Sequence, residues 1–191
     1  GEKGGAKFMV EEGVMNNPKV DAIFGLHAWP GKVGTVEYRS GPTMAAAERM
    51  RITVTGSQTH GAVPWKGVDP IAISSQIITA LQTIVAREVN ITQVPAVVTI
   101  GSIHGGVRNN IIPEEVVMEG TIRTFNDEVR KDIHDSIRKK AEMIASASGA
   151  TAKVEIFSDI AKVTFNEPSL TDKMVPSLER VYGKENVKIT P

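Results

Sequence analysis

The sequence predicts an α/β chain interrupted in its middle by an α+β unit, and three observations carry that prediction. Residues 43–157 run through strand-like and helix-like apolar periodicities in the order β-α-β-β-α-β. Both helical stretches open on a capping residue, Asp69 and Asn126. The flanks, residues 1–42 and 158–191, carry strand and helix patterns of their own, but each is at or below the roughly 40 residues that seldom fold unaided. The middle unit reads as the ferredoxin-like, or split βαβ, arrangement, and the flanks as two parts of one α/β domain.

Each element has a local reason. In the first flank, residues 6–12 suit a short helix, Val20-Asp-Ala-Ile-Phe-Gly-Leu-His27 a strand, and Lys32 to Arg39 a second strand. Met50, Ile52 and Val54 alternate with polar residues as a half-buried strand does. Asp69-Pro70 is an N-cap with proline at the first helical position, and Ile77, Ile78, Leu81, Ile84 and Val85 follow at helical spacing. Ala96 to Ile103 is β-rich, and the Gly105-Gly106 and Asn109-Asn110 pairs turn the chain into a third strand, Glu115 to Phe125. Asn126 caps a helix with Asp127 and Glu128 at its positive dipole end and Val129, Ile133, Ile137, Ala141 and Ile144 as its buried stripe; Gly149 suits its left-handed end. Ala152, Val154 and Ile156 form the fourth strand. A helix around residues 170–182 and a short run at Asn186-Val-Lys-Ile complete the second flank.

Composition narrows function by exclusion. With 22 basic against 22 acidic residues there is no cationic excess, which argues against nucleic acid as the main ligand. The absence of cysteine removes disulfides, thiolate zinc sites and thiol nucleophiles. No apolar run approaches the roughly 20 residues that span a bilayer. The expected setting is the cytoplasm, away from membranes.

Four residues could carry chemistry. His27 closes a strand at the carboxyl end, where open α/β sheets place ligands, and its imidazole suits either a divalent metal or a local hydrogen bond. His60 lies on a connection with Gly56 and Gly61 nearby, which fits an oxyanion donor as well as a solvated loop histidine. Arg123 stands on the strand face opposite Met118 and Ile122, as an anion clamp or as a member of a salt bridge. Asn110 precedes Ile111-Ile112-Pro113, where asparagine commonly serves a turn. His134, mid-helix among charges, reads as surface.

Taken in order, Gly4-Gly-Ala-Lys-Phe-Met-Val-Glu-Glu-Gly13, Asp21-Ala-Ile-Phe-Gly-Leu-His27, Gly41-Pro-Thr-Met-Ala-Ala-Ala-Glu48, Thr59-His-Gly-Ala-Val-Pro64, Gly67-Val-Asp-Pro70, Asn110-Ile-Ile-Pro113 and Gly120-Thr-Ile-Arg123 closely resemble the metal-dependent amidohydrolases that include aminoacylases, hippurate hydrolases and related carboxypeptidases. The resemblance spans essentially the whole chain. It implies a catalytic α/β domain binding two divalent metal ions, zinc or manganese, and an inserted ferredoxin-like lid, residues 43–157, that mediates homodimerisation. It implies that His27 is a metal ligand and that His60 stabilises the tetrahedral intermediate, commonly in the partner subunit's site. Asn110 and Arg123 would hold the amide and carboxylate of an N-acyl amino acid or small peptide. Family members also carry an upstream histidine motif, a glutamate pair and a late histidine ligand. The chain is expected to start just after that pair and stop before that histidine, so these residues alone are expected to be inactive. A non-catalytic dimerisation or small-molecule-binding module is the other reading.

Dimerisation has its own sequence signal. In the usual ferredoxin-like order the second strand is an edge, and Ala96 to Ile103 carries no charge. Pairing with a second copy is expected there, with Val98 and Ile100 at the seam.

Overall fold

The computed structural model describes residues 5–190, the side chains of residues 159 and 160 excepted. They divide into two compact units, residues 5–43 with 165–190, and Met44–Thr164.

In chain order the elements are α1 (Gly5–Glu11), β1 (Val36–Tyr38), β2 (Gly41–Met44), β3 (Ala46–Thr55), β4 (Thr59–His60), α2 (Pro70–Thr83), β5 (Ala96–Gly105), β6 (Ile111–Ile112), β7 (Glu115–Thr124), α3 (Asp127–Ala147), β8 (Thr151–Ala161), β9 (Thr164–Asn166), α4 (Pro168–Tyr182) and β10 (Val187–Ile189). Alternation along β3 buries Ala46, Glu48, Met50, Ile52 and Val54 on one face and turns Arg49 and Arg51 to the other. The main sheet has the order β5-β7-β3-β8 with every pair antiparallel, so β5 and β8 are its edges. Ile77, Leu81 and Ile84 from α2 and its π-helical extension, with Ile133, Ile137, Ala141 and Ala145 from α3, close over that buried face. Each fully buried isoleucine or leucine there contributes about 1.5–3 kcal/mol.

The helix starts follow the caps. Asp69 accepts from the Ile71 and Ala72 amides, and Asn126 from those of Glu128 and Val129. Gly149, at φ +76°, lies just past α3 in the conformation that favours glycine.

The first unit departs from expectation. Val20 to His27 forms no strand: the near-continuous apolar run has the composition of a buried parallel strand, but among the described residues no strand pairs with it, and Ile23, Phe24 and Leu26 stay exposed. The second expected strand contracts to β1, which pairs in parallel with β10. β2 and β9 pair where the chain passes between the units.

The edge strand also corrects the expected seam. Val98 is 6 % exposed and Ile100 packs against the core, so both point into their own subunit. Val97 and Thr99 are the exposed residues of that stretch. The alternation of a strand separates the residues that flank an edge from those that fill the core.

Candidate functional site

His60 is held on a short ribbon at one end of the main sheet. β4 pairs with β6 so that His60 faces Ile111 and Thr59 faces Ile112. The Gly61 amide donates to the Asn110 carbonyl at 2.8 Å, and Gly56 to Glu114 at the same distance. Gly56 has no room for a side chain: a Cβ there would lie 2.2 Å from the Val68 carbonyl oxygen. The ribbon therefore sits tightly against the segment leading into α2.

The His60 imidazole is exposed, and its Nδ1 accepts the Ala62 amide at 3.1 Å. That bond places the proton of the neutral ring on Nε2, which makes Nε2–H an outward-facing donor. Asn110 is also exposed, and its side-chain amide has no partner among the described residues. An open concavity of about 520 Å³ adjoins the ribbon, lined by Gly61, Asp69, Ile71, the Gly105 to Asn109 turn, Ile111 and Ile112. His60 and Asn110 are thus brought together, with apolar walls and polar tips beside them.

Arg123 lies elsewhere. On β7 it pairs with Ala47 and Val97, eight residues beyond Glu115, and a strand of that length spans about 26 Å. It is half-buried, and its Nη1 donates to the Ile122 carbonyl at 2.9 Å, to the Glu48 carbonyl at 3.4 Å and to the Thr121 hydroxyl. Nε and Nη2 have no partner among the described residues. One nitrogen pins the guanidinium and its other edge is free for a fork-shaped acceptor.

His27 belongs to the other unit and is exposed; its Nδ1–H donates to the Ala28 carbonyl at 2.6 Å, which leaves Nε2 as a free acceptor. That is the tautomer a metal-ligating histidine adopts. A catalytic metal needs about three protein ligands, and no three His, Cys, Asp or Glu converge among the described residues. The residues described here do not by themselves make a metal centre.

One cluster escaped the reading of the sequence. Glu48, 1 % exposed, receives His134 Nε2–H at 2.6 Å and lies 3.7 Å from Arg130 Nη1. His134 is therefore no surface residue: its ring is only 16 % exposed because it turns inward to that carboxylate. The signal was available, since Glu48 occupies a buried phase of the alternation that runs through Met50, Ile52 and Val54.

Residues 47–148, which carry the main sheet and its two helices, match the family model for the peptidase dimerisation domain. The chain belongs to the M20 family of peptidases. It is 39 % identical over 184 residues to thermostable carboxypeptidase 2 of Saccharolobus solfataricus, covering 95 % of this chain and 46 % of the relative. It is 43 % identical over 152 residues to the N-acetyl-L-cysteine deacetylase of Bacillus subtilis, covering 79 % of this chain and 36 % of that enzyme. The crystal structure of the Bacillus subtilis YXEP protein, described as a dinuclear metal-binding peptidase from the M20 family, superposes with a TM-score of 0.74 at 32 % identity, covering 97 % of this chain and 46 % of that one. The chain thus spans less than half the length of these relatives. No helix among the described residues is long and apolar enough to cross a membrane.

Proposed function

We propose that the complete protein hydrolyses the amide bond of N-acyl amino acids or small peptides in a reaction dependent on two divalent metal ions, zinc or manganese, as a homodimer. Met44–Thr164 acts as its ferredoxin-like lid and dimerisation unit, a reading supported by the order β5-β7-β3-β8 and by the two helices on one face. The remaining residues belong to the catalytic domain, with His27 supplying one metal ligand.

The carrying observation is that the polar groups stand toward opposite ends of the main sheet, His60 and Asn110 on the ribbon beyond one end and Arg123 near the other. His60 offers Nε2–H, and Asn110 an unpartnered amide, on the ribbon beyond the Glu115 end of β7; Arg123 offers a free guanidinium edge near the other end of that strand, about 26 Å from Glu115. No small substrate reaches both ends of one subunit. A site that uses all three groups takes His60 and Asn110 from one copy and Arg123 from the other. In that site Arg123 binds the substrate carboxylate by paired hydrogen bonds, Asn110 orients the amide, and His60 donates to the oxygen on which negative charge develops.

The test is complementation. In the complete protein, His60→Ala and Arg123→Ala subunits are each nearly inactive toward an N-acetyl amino acid. A mixed dimer regenerates one intact site, so an equal mixture recovers about a quarter of wild-type activity. No recovery despite proven subunit exchange would refute the shared site, and full activity after exhaustive chelation would refute the metal requirement.

A further inference from the structure

We propose that Glu48 is a positioning residue for Arg123, fixing the guanidinium so that its free edge meets a substrate carboxylate; the inference rests on the reading of Arg123 given above.

A carboxylate at this point is costly to fold. It occupies a buried phase of β3 between Ala46 and Met50, and its Oε1 has no hydrogen bond, only Arg130 at 3.7 Å. An apolar side chain would avoid the desolvation penalty that a buried ion pair rarely recovers. What the charge supplies is a fixed point. His134 and Arg130, both on α3, hold the Glu48 side chain from the helix side of the sheet.

The main chain of the same residue works on the other face. Pairing between β3 and β8 shifts register here: Ala47 opposes Ala161 but Arg49 opposes Phe157. Such irregularities leave a residue outside the regular ladder and free its backbone for other partners. The Glu48 carbonyl accepts the Thr121 hydroxyl at 3.0 Å and Arg123 Nη1 at 3.4 Å, and Thr121 itself receives Arg123. Thr121 and Arg123 share the face opposite the helices. The residue clamped by α3 is therefore the one whose carbonyl holds both Thr121 and Arg123, two of the contacts that orient the guanidinium beside the Ile122 carbonyl at 2.9 Å. Without the clamp, β3 can shift at its irregularity, and the guanidinium loses the frame that aims Nε and Nη2.

Two measurements test this. In the complete enzyme, Glu48→Gln should raise KM about tenfold for an N-acyl amino acid while kcat stays near wild type, as expected for a misplaced binding group. Hydrolysis of the corresponding C-terminal amide, which lacks the carboxylate, should change less than twofold. Glu48→Gln combined with Arg123→Lys should be no worse than Arg123→Lys alone. Equal loss on acid and amide, or additive loss in the double variant, overturns the proposal. In the 191-residue chain, nitrogen-15 NMR of the Arg123 Nε–H should show faster exchange in Glu48→Gln than in wild type; an unchanged signal overturns the proposal. If Arg123→Lys leaves the preference for acid over amide intact, the carboxylate reading has failed, and the NMR signal alone then decides whether Glu48 positions Arg123. Should Glu48→Gln not fold, His134→Gln serves both measurements, because it removes one support of Glu48 from a partly exposed position.

Discussion

Side chains with one task separate cleanly from those with several. His60 is exposed and packs against nothing in the core, so His60→Ala should leave the melting temperature unchanged while lowering kcat of the complete enzyme by about 10²–10³, the scale of one lost oxyanion donor. Gly120 behaves in the opposite way. A Cβ there would lie 2.2 Å from the Thr99 carbonyl and 2.6 Å from the Met50 methyl, so Gly120→Ala should destabilise the Met44–Thr164 unit by about 1–3 kcal/mol in denaturant titrations, by overpacking. His60, Asn110 and Arg123 could be singled out as candidates from the sequence because their motifs are local. The sequence hid the partnership of Glu48 with His134, which are 86 positions apart, because a helix periodicity counts charged neighbours and carries no information about which strand residue faces them.

Among the elements, helices were the most legible, since caps and a 3.6-residue stripe are encoded within one segment. Val20 to His27 was misread because a strand exists only with a partner, and composition does not supply one. The contact between the end of α2 and α3 shows a further dependence on distance. Glu88, in the π-helical extension, accepts from the Ser136 hydroxyl and from Lys140 at 2.9 Å, and these bonds, the hydroxyl first, hold its carboxyl below the usual range. A depressed carboxyl stabilises the fold above its unfolded value, and that stability is lost as pH falls through the folded value. Wild type should therefore exceed Glu88→Gln in stability at pH 6, by less than about 1 kcal/mol because the group is mostly exposed, and the difference should vanish on acidification. Unfolding midpoints measured down a pH series would show it.

The whole chain is uneven in how it is held together. Among the described residues every buried hydrophobic side chain lies between Ala46 and Ala150, whereas Phe24, Leu26 and Trp29 of the other unit are exposed. Limited proteolysis should trim the chain toward Met44–Thr164 and leave that product with the cooperative unfolding of the parent chain. Its free edge, β5, should pair with a second copy, and Val97→Lys, on the exposed face, should weaken the dimer in sedimentation without loss of fold. The separation of His60, on the ribbon, from Arg123, near the far end of β7, has a kinetic meaning as well. A folded monomer with every residue in place would hold two half-sites and no whole one. Specific activity would then depend on enzyme concentration, falling on dilution as the fraction of dimer falls. The midpoint of that decline would report the subunit dissociation constant, and in the Val97→Lys variant it would move to higher protein concentration while the activity reached at saturation stayed the same.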